Sequence, residues 1–203
     1  MIEQRTPEWI NLRLGLPTGS RVYDILPGAR GGYKKARETC MYELLTERIT
    51  GVPVEHYVTP AMEWGTMYEA EAIDAFVDVS GIAVTECGFI RHSTIRNFGA
   101  SPDGLWEKGV IEVKCPTSPT HIKILATKEI KPQWLYQIQA EMMVANAKHA
   151  WFISYDPRLP EVNQLYVDRV YRDDDMVDEI TEAVNKFNEE LDELEGKVNE
   201  HSF

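Results

Sequence analysis

Polar and apolar side chains alternate along residues 109–115, and a β-strand shows successive side chains to opposite faces. Ile111, Val113 and Cys115 therefore share one face, while Val110, Glu112 and Lys114 share the other. The first face is ordinary core. The second sets a carboxylate and an ammonium roughly 7 Å apart along the strand, two steps of about 3.3 Å each. Downstream, residues 149–155 and 163–171 read as strands, preceded by a helix over about 132–146. Upstream, "MYEAEAIDAFVDVSG" sets Ala72, Ile73 and Phe76 at helical spacing from Glu69, in a helix over 61–80 that Gly81 ends. Residues 82–91 and the segment leading into Asp103 read as two more strands. Residues 8–26 read as helix or loop-helix, with Thr18 and Ser20 as N-caps. A glycine-rich basic loop, "PGARGGYKKAR", then runs into a helix that ends near Thr50. In the last helix, 173–198, Val177, Ile180, Val184, Phe187, Leu191, Leu194 and Val198 recur at spacings of three and four. That seam needs the domain's own flank or another subunit to cover it. Strands with helices between them indicate an α/β fold, and 203 residues suit a single domain over 1–203.

Composition changes little in that picture: 43% of residues are hydrophobic and 27% charged, as in ordinary globular chains. No run of about 18 apolar residues is present to span a bilayer. "MIEQRTPEWINLRL" lacks the apolar stretch of a signal peptide, so the expectation is a cytoplasmic protein with no membrane partner. Cys40, Cys87 and Cys115 are odd in number and widely spaced, which suits reduced thiols. The five scattered histidines argue against a His-ligated zinc. The net charge of −12 argues against a nucleic-acid partner until it is located. Residues 173–200 hold 12 acids against Lys186 and Lys197, and the remaining chain carries 21 acids and 19 bases. The acidity belongs to the last helix, and the near-neutral body is free to present a basic groove.

The candidate chemistry centres on "GASPDGLWEKGVIEVKCP". Pro102 and Gly104 make a turn that holds Asp103 at a strand edge, and Glu112 follows nine residues later, a spacing suited to adjacent hairpin strands. The two carboxylates, with the Val113 carbonyl, form a hard-oxygen set of the kind Mg²⁺ takes. Lys114 would then stand beside the ion, where it can orient a water nucleophile or help deprotonate it. Alone, the pattern equally describes a surface hairpin with a routine Glu–Lys pair. Glu69 adds to it, because a carboxylate on the apolar stripe of its helix is expensive to bury without a partner or a metal. In "PQWLYQIQAEMMVA", Gln137 lies near the edge of an apolar stripe from which it can reach inward, or else stay exposed; Gln139 is nearer the opposite side.

Taken together, "EW…LRLG…TGS", "EWGTMYEAEA", "GASPDG", "IEVKCP", "YQIQAEM" and "WFISYDPR" closely resemble the phage lambda exonuclease family of viral recombinases, within the PD-(D/E)xK nuclease superfamily. The match runs from about Trp9 to Tyr155. The resemblance implies a restriction-endonuclease-like core, a mixed central β-sheet flanked by helices. It implies a 5′-to-3′ exonuclease that degrades one strand of linear duplex DNA to mononucleotides, leaving a 3′ overhang for a single-strand annealing protein. A ring-shaped homotrimer around the DNA end, phage or prophage origin and action in a bacterial cytoplasm go with it. By motif position, Asp103, Glu112 and the Val113 carbonyl would hold one or two Mg²⁺ or Mn²⁺ ions. Lys114 would orient the nucleophile, and Glu69 and Gln137 would complete the catalytic set. The family's 5′-phosphate pocket falls on Arg13, Thr18, Ser20 and Ser101, and a guanidinium with hydroxyl donors suits a phosphate. The basic stretch Arg30, Lys34, Lys35 and Arg37 matches the family poorly and reads either as a tracker of DNA phosphates or as a solvated loop. Two rival readings stay open: an endonuclease or repair nuclease of the same superfamily, and a non-catalytic DNA-end-binding protein.

Overall fold

A computed structural model of the chain describes residues 2–28, 31–55 and 57–200. Its seven helices of α type and six strands follow in the order α1 (Pro7–Arg13), α2 (Val22–Ile25), α3 (Lys35–Thr50), α4 (Pro60–Ser80), β1 (Ile90–Arg91), β2 (Gly99–Ala100), β3 (Gly104–Trp106), β4 (Gly109–Lys114), α5 (Ser118–Thr127), α6 (Pro132–Val144), β5 (His149–Tyr155), β6 (Leu165–Tyr171) and α7 (Asp174–Glu200). The main sheet runs β3-β4-β5-β6. β4 and β5 are parallel, with Glu112 opposite Phe152, and the outer pairs are antiparallel. A parallel pair requires a crossover, and α5 and α6 supply it. The result is the expected α/β architecture of mixed sheet and flanking helices.

Both faces of β4 are covered, which is why its residues 110–113 are all buried. Ile111, Val113 and Cys115 pack with Ala72 and Phe76 of α4 and with Ile153 and Tyr155. Val110 packs on the other side with Phe152 and with Ile124, Ile138 and Met142 of α5 and α6. Local signals fit these elements. The Thr59 hydroxyl accepts from Met62 N–H at 3.2 Å to cap α4, Pro60 occupies the first turn, and Gly81 ends the helix at φ 66°. The seam of α7 is covered by the chain itself: Ile180, Val184, Phe187 and Leu191 are fully buried in one cluster with Leu44, Leu45 and Met143. Arg37 pairs with Glu190 at 2.8 Å, and Arg48 with Asp192 at 2.6 Å, so α7's acids also anchor it. Val198, at the seam's end, is exposed.

Two expectations change. Of residues 82–91, only Ile90 and Arg91 are strand, paired with β2, and Thr85 makes an isolated bridge to Leu105. The N-terminal segment lies against that stretch instead: a Cβ on Gly88 would stand 2.2 Å from the Ile2 carbonyl oxygen. α5 has no counterpart in the periodicity, because its buried side includes His121, whose imidazole bonds Ser154 Oγ at 2.7 Å and the Asn163 carbonyl at 2.9 Å. Among the described residues no helix is long and apolar enough to cross a membrane.

Candidate active site

The β3–β4 hairpin holds Asp103 firmly. Its N–H donates to the Ile111 carbonyl at 3.0 Å, and its Oδ2 accepts the Val113 N–H at 2.7 Å. Gly104 is needed beside it, since a Cβ there would approach Val84 Cγ1 to 2.5 Å. Glu112 leaves β4 toward α6 and is completely buried. The Lys114 ammonium pairs with Glu112 and donates to Gln137 Oε1 at 3.3 Å, and Gln137 Nε2 donates to Glu141 Oε1 at 2.9 Å. The Glu141 and Glu112 carboxyls meet each other, and apart from that contact and the lysine ion pair no side chain donates to Glu112 or to Glu141 Oε2.

The electrostatics follow from that crowding. Burial, and next the charge of Glu112, push both Asp103 and Glu141 well above the usual carboxylate range. Burial alone would pull the Lys114 ammonium down, but Glu112 and Asp103 more than offset it, so its pKa stands above the ordinary lysine value. Lys114 is thus a cation in this arrangement. Among the described residues, no three His, Cys, Asp or Glu side chains are gathered as a ready-made metal cage. What the site offers is two buried carboxyls, Glu112 and Glu141, crowded together with Asp103 alongside, and a hard divalent cation fits that donor set.

Glu69 lies elsewhere than its helical stripe suggested. Ala72 and Phe76 are fully buried as expected, but Glu69 sits at the rim of α4 with 23% of its side chain exposed and pairs with Arg5. It lines a cavity of about 520 Å³ that also reaches Arg5 and Asp103, and Asp103 is the link between Glu69 and the buried acids. The charge of Glu69 contributes to the rise at Asp103.

A second cavity, of about 190 Å³, brings Arg13, Thr18, Ser20 and Ser101 together with Asp103, Gln137 and Glu141. Four residues singled out for a phosphate thus open into the same space as the acids. Thr18 and Ser20 do not serve as side-chain caps; their hydroxyls meet at 3.2 Å, and Arg13 donates to Thr18 at 3.4 Å. Arg13 lies 4.0 Å from the Trp9 ring centroid, and Trp9 Nε1 donates to Ser101 Oγ at 3.0 Å. Burial lowers the Arg13 pKa to about 10, against the charge of Glu47 and with that of Arg21. The guanidinium stays charged at neutral pH, and an anion would offset its lost hydration.

In the basic stretch Lys34 and Arg37 are drawn into the scaffold, and Lys34, Lys35 and Arg37 line neither cavity. Arg37 is buried against Glu190, and Lys34 donates to the Tyr23 carbonyl at 2.6 Å while lying 3.4 Å from that ring's centroid. Arg37 is thus neither a free phosphate tracker nor part of a solvated loop, and Lys34 is half-buried on Tyr23. Lys35 is exposed on the first turn of α3, and Arg30 lies outside the described residues. Sequence reasoning missed Glu141 and Trp9. Each stands four residues from a residue it did name, Gln137 and Arg13, and that one-turn spacing was the available signal.

Residues 8–148 match the family model of the YqaJ-like viral recombinase domain. The chain belongs to that family. It is 38% identical to an alkaline exonuclease (LHK-Exo) from Laribacter hongkongensis, covering 96% of this chain and 97% of that one, with a TM-score of 0.89. The same figures hold for the structure of LHK-Exo in complex with dAMP. A phage-related exonuclease from Haemophilus somnus 129PT, 16% identical over 93% of this chain and 98% of that one, shares the fold with a TM-score of 0.69. No curated protein matches. Family and fold thus bear out the resemblance to lambda exonuclease and the restriction-endonuclease-like core of this YqaJ-like recombinase.

Proposed function

We propose that this YqaJ-like recombinase is a divalent-metal-dependent 5′-to-3′ exonuclease on linear duplex DNA, releasing mononucleotides and leaving a 3′ overhang for strand annealing. The observation that carries the reading is one cavity shared by a buried acid cluster and the Arg13, Thr18, Ser20 and Ser101 set. The 38% identical relative is an alkaline exonuclease whose structure has been solved with dAMP, a mononucleotide, which supports that class of product.

Asp103, Glu112 and the Val113 carbonyl would hold Mg²⁺ or Mn²⁺, with Glu141 close to Glu112. When bound, the ion supplies Lewis-acid charge against the negative charge that develops on a phosphodiester under attack. Lys114, held between Glu112 and Gln137, adds a fixed positive charge beside the reacting phosphate and a donor that orients the attacking water. Gln137 bridges Lys114 and Glu141, so it keeps the cation and the acids in register. Arg13 and the hydroxyls of Thr18, Ser20 and Ser101 grip the 5′-terminal phosphate. That grip sets how far the strand enters, and each cut removes one nucleotide. Phosphate recognition of this kind carries little sequence preference. The resemblance supports a homotrimeric ring on the DNA end, an annealing partner and a bacterial cytoplasmic setting.

The test compares wild type and Glu112→Ala on linear and covalently closed duplexes, in Mg²⁺ and in EDTA. Mg²⁺-dependent release of mononucleotides from the linear duplex alone supports the reading. Cleavage of the closed circle makes the protein an endonuclease, and wild-type-rate cleavage by the variant removes Glu112 from the mechanism.

A further inference from the structure

The N-terminal segment is pinned on both sides of Arg5. Gln4 Nε2 donates to the Cys87 and Pro102 carbonyls at 2.8 Å each, and Thr6 caps α1 by accepting from Trp9 N–H at 3.3 Å. Between these anchors Arg5 adopts φ 67°, a left-handed backbone that arginine rarely enters. The enforced bend delivers the guanidinium to the wall between the two cavities, both of which it lines together with Asp103. There it pairs with Glu69 while half of its side chain stays exposed. An ion pair so exposed contributes little to stability, so the pair does not account for the strained backbone. A single carboxylate can engage only part of the guanidinium's five-donor fork.

We propose that Arg5 is a substrate-positioning residue that binds a backbone phosphate of the DNA strand where it passes from one cavity to the other, beyond the 5′-phosphate pocket around Arg13. The inference rests on the reading of the cleft as a DNA-cutting site. The planar fork suits a phosphate bidentately, which an ammonium does not. Glu69 holds the fork in place until a phosphate shares it.

The experiment is equilibrium binding of a 5′-phosphorylated duplex across a salt series, in EDTA and with Ca²⁺, for wild type, R5Q, R5K, E69Q and the R5Q/E69Q double variant, with melting curves to verify folding. R5Q is expected to lose about tenfold in affinity at 0.1 M salt and to flatten the log K against log salt slope by about 0.9. R5K keeps the slope with reduced affinity. The double variant loses affinity relative to E69Q by the same factor. An unchanged slope in R5Q overturns the proposal, as does an R5Q effect that vanishes in the E69Q background, which would make Arg5 only a counter-ion. Either result leaves the exonuclease reading standing if wild type binds and cuts. A wild type that binds DNA ends in neither buffer overturns both.

Discussion

Glu141→Gln is the perturbation most revealing of how the acid cluster is built. Glu141 is buried to 1% exposure, one oxygen accepting from Gln137 at 2.9 Å and the carboxyl crowded against that of Glu112. The substitution keeps the shape, removes the charge and provides an N–H₂ donor beside the Glu112 carboxylate. Replacing a buried acid crowded against a carboxylate by a neutral donor relieves a penalty of about 1–3 kcal/mol, so the metal-free variant should be more stable than wild type by about that much. For a chain near 200 residues this corresponds to roughly 3–9 °C in Tm. The pH dependence has a definite sign. A carboxyl whose folded pKa is raised binds its proton more tightly when folded, so its penalty is absent below the unfolded value of about 4.3. The penalty grows as pH rises toward the folded value and is constant above it. Denaturant unfolding in EDTA at a series of pH values should therefore show wild type and variant converging near pH 4 and separating toward pH 8. Mg²⁺ should then stabilise wild type more than the variant. A variant no more stable than wild type at pH 8 in EDTA would refute the picture of crowded, buried acids.

Other expectations follow from the same geometry. Glu112→Ala should lose Mg²⁺-dependent cleavage by at least about 10³-fold while still binding DNA ends, read by gel shift and product release. A duplex with a 5′ phosphate at one end and a 5′ hydroxyl at the other should be digested from the phosphorylated end, and Arg13→Ala should abolish that preference. Phe187→Ala, at a fully buried position joining α7 to α3, should cost about 3–5 kcal/mol in unfolding free energy without changing the pH profile of cleavage.

The parts of this molecule legible in its sequence are those governed by local periodicity. The alternation of 109–115 set Ile111 and Val113 on the face opposite Glu112 and Lys114, and in the structure the first face packs on α4 while the second meets α6. The α7 seam was legible for the same reason. Contacts between distant segments were not. Residues 82–91 carry strand-forming side chains, but the N-terminal segment packed over Gly88 displaces regular pairing there. α5 buries a histidine that only Ser154 and Asn163 make acceptable. The packed stripe of α4 continues from Phe76 and Ala72 through Tyr68 and Trp64, and Glu69 lies at its rim, where it meets Arg5, 64 residues away. Arg37 read as a surface cation because nothing local announces Glu190, 153 residues later.

The buried carboxylates must form a divalent-cation site if this protein cuts DNA as proposed. Calorimetric titration of Mn²⁺ into the metal-free protein, repeated for Asp103→Asn and Glu112→Gln, measures that without reference to catalysis. Binding by wild type that both variants lose is the predicted result; no binding by wild type, or wild-type affinity retained in Glu112→Gln, would contradict it.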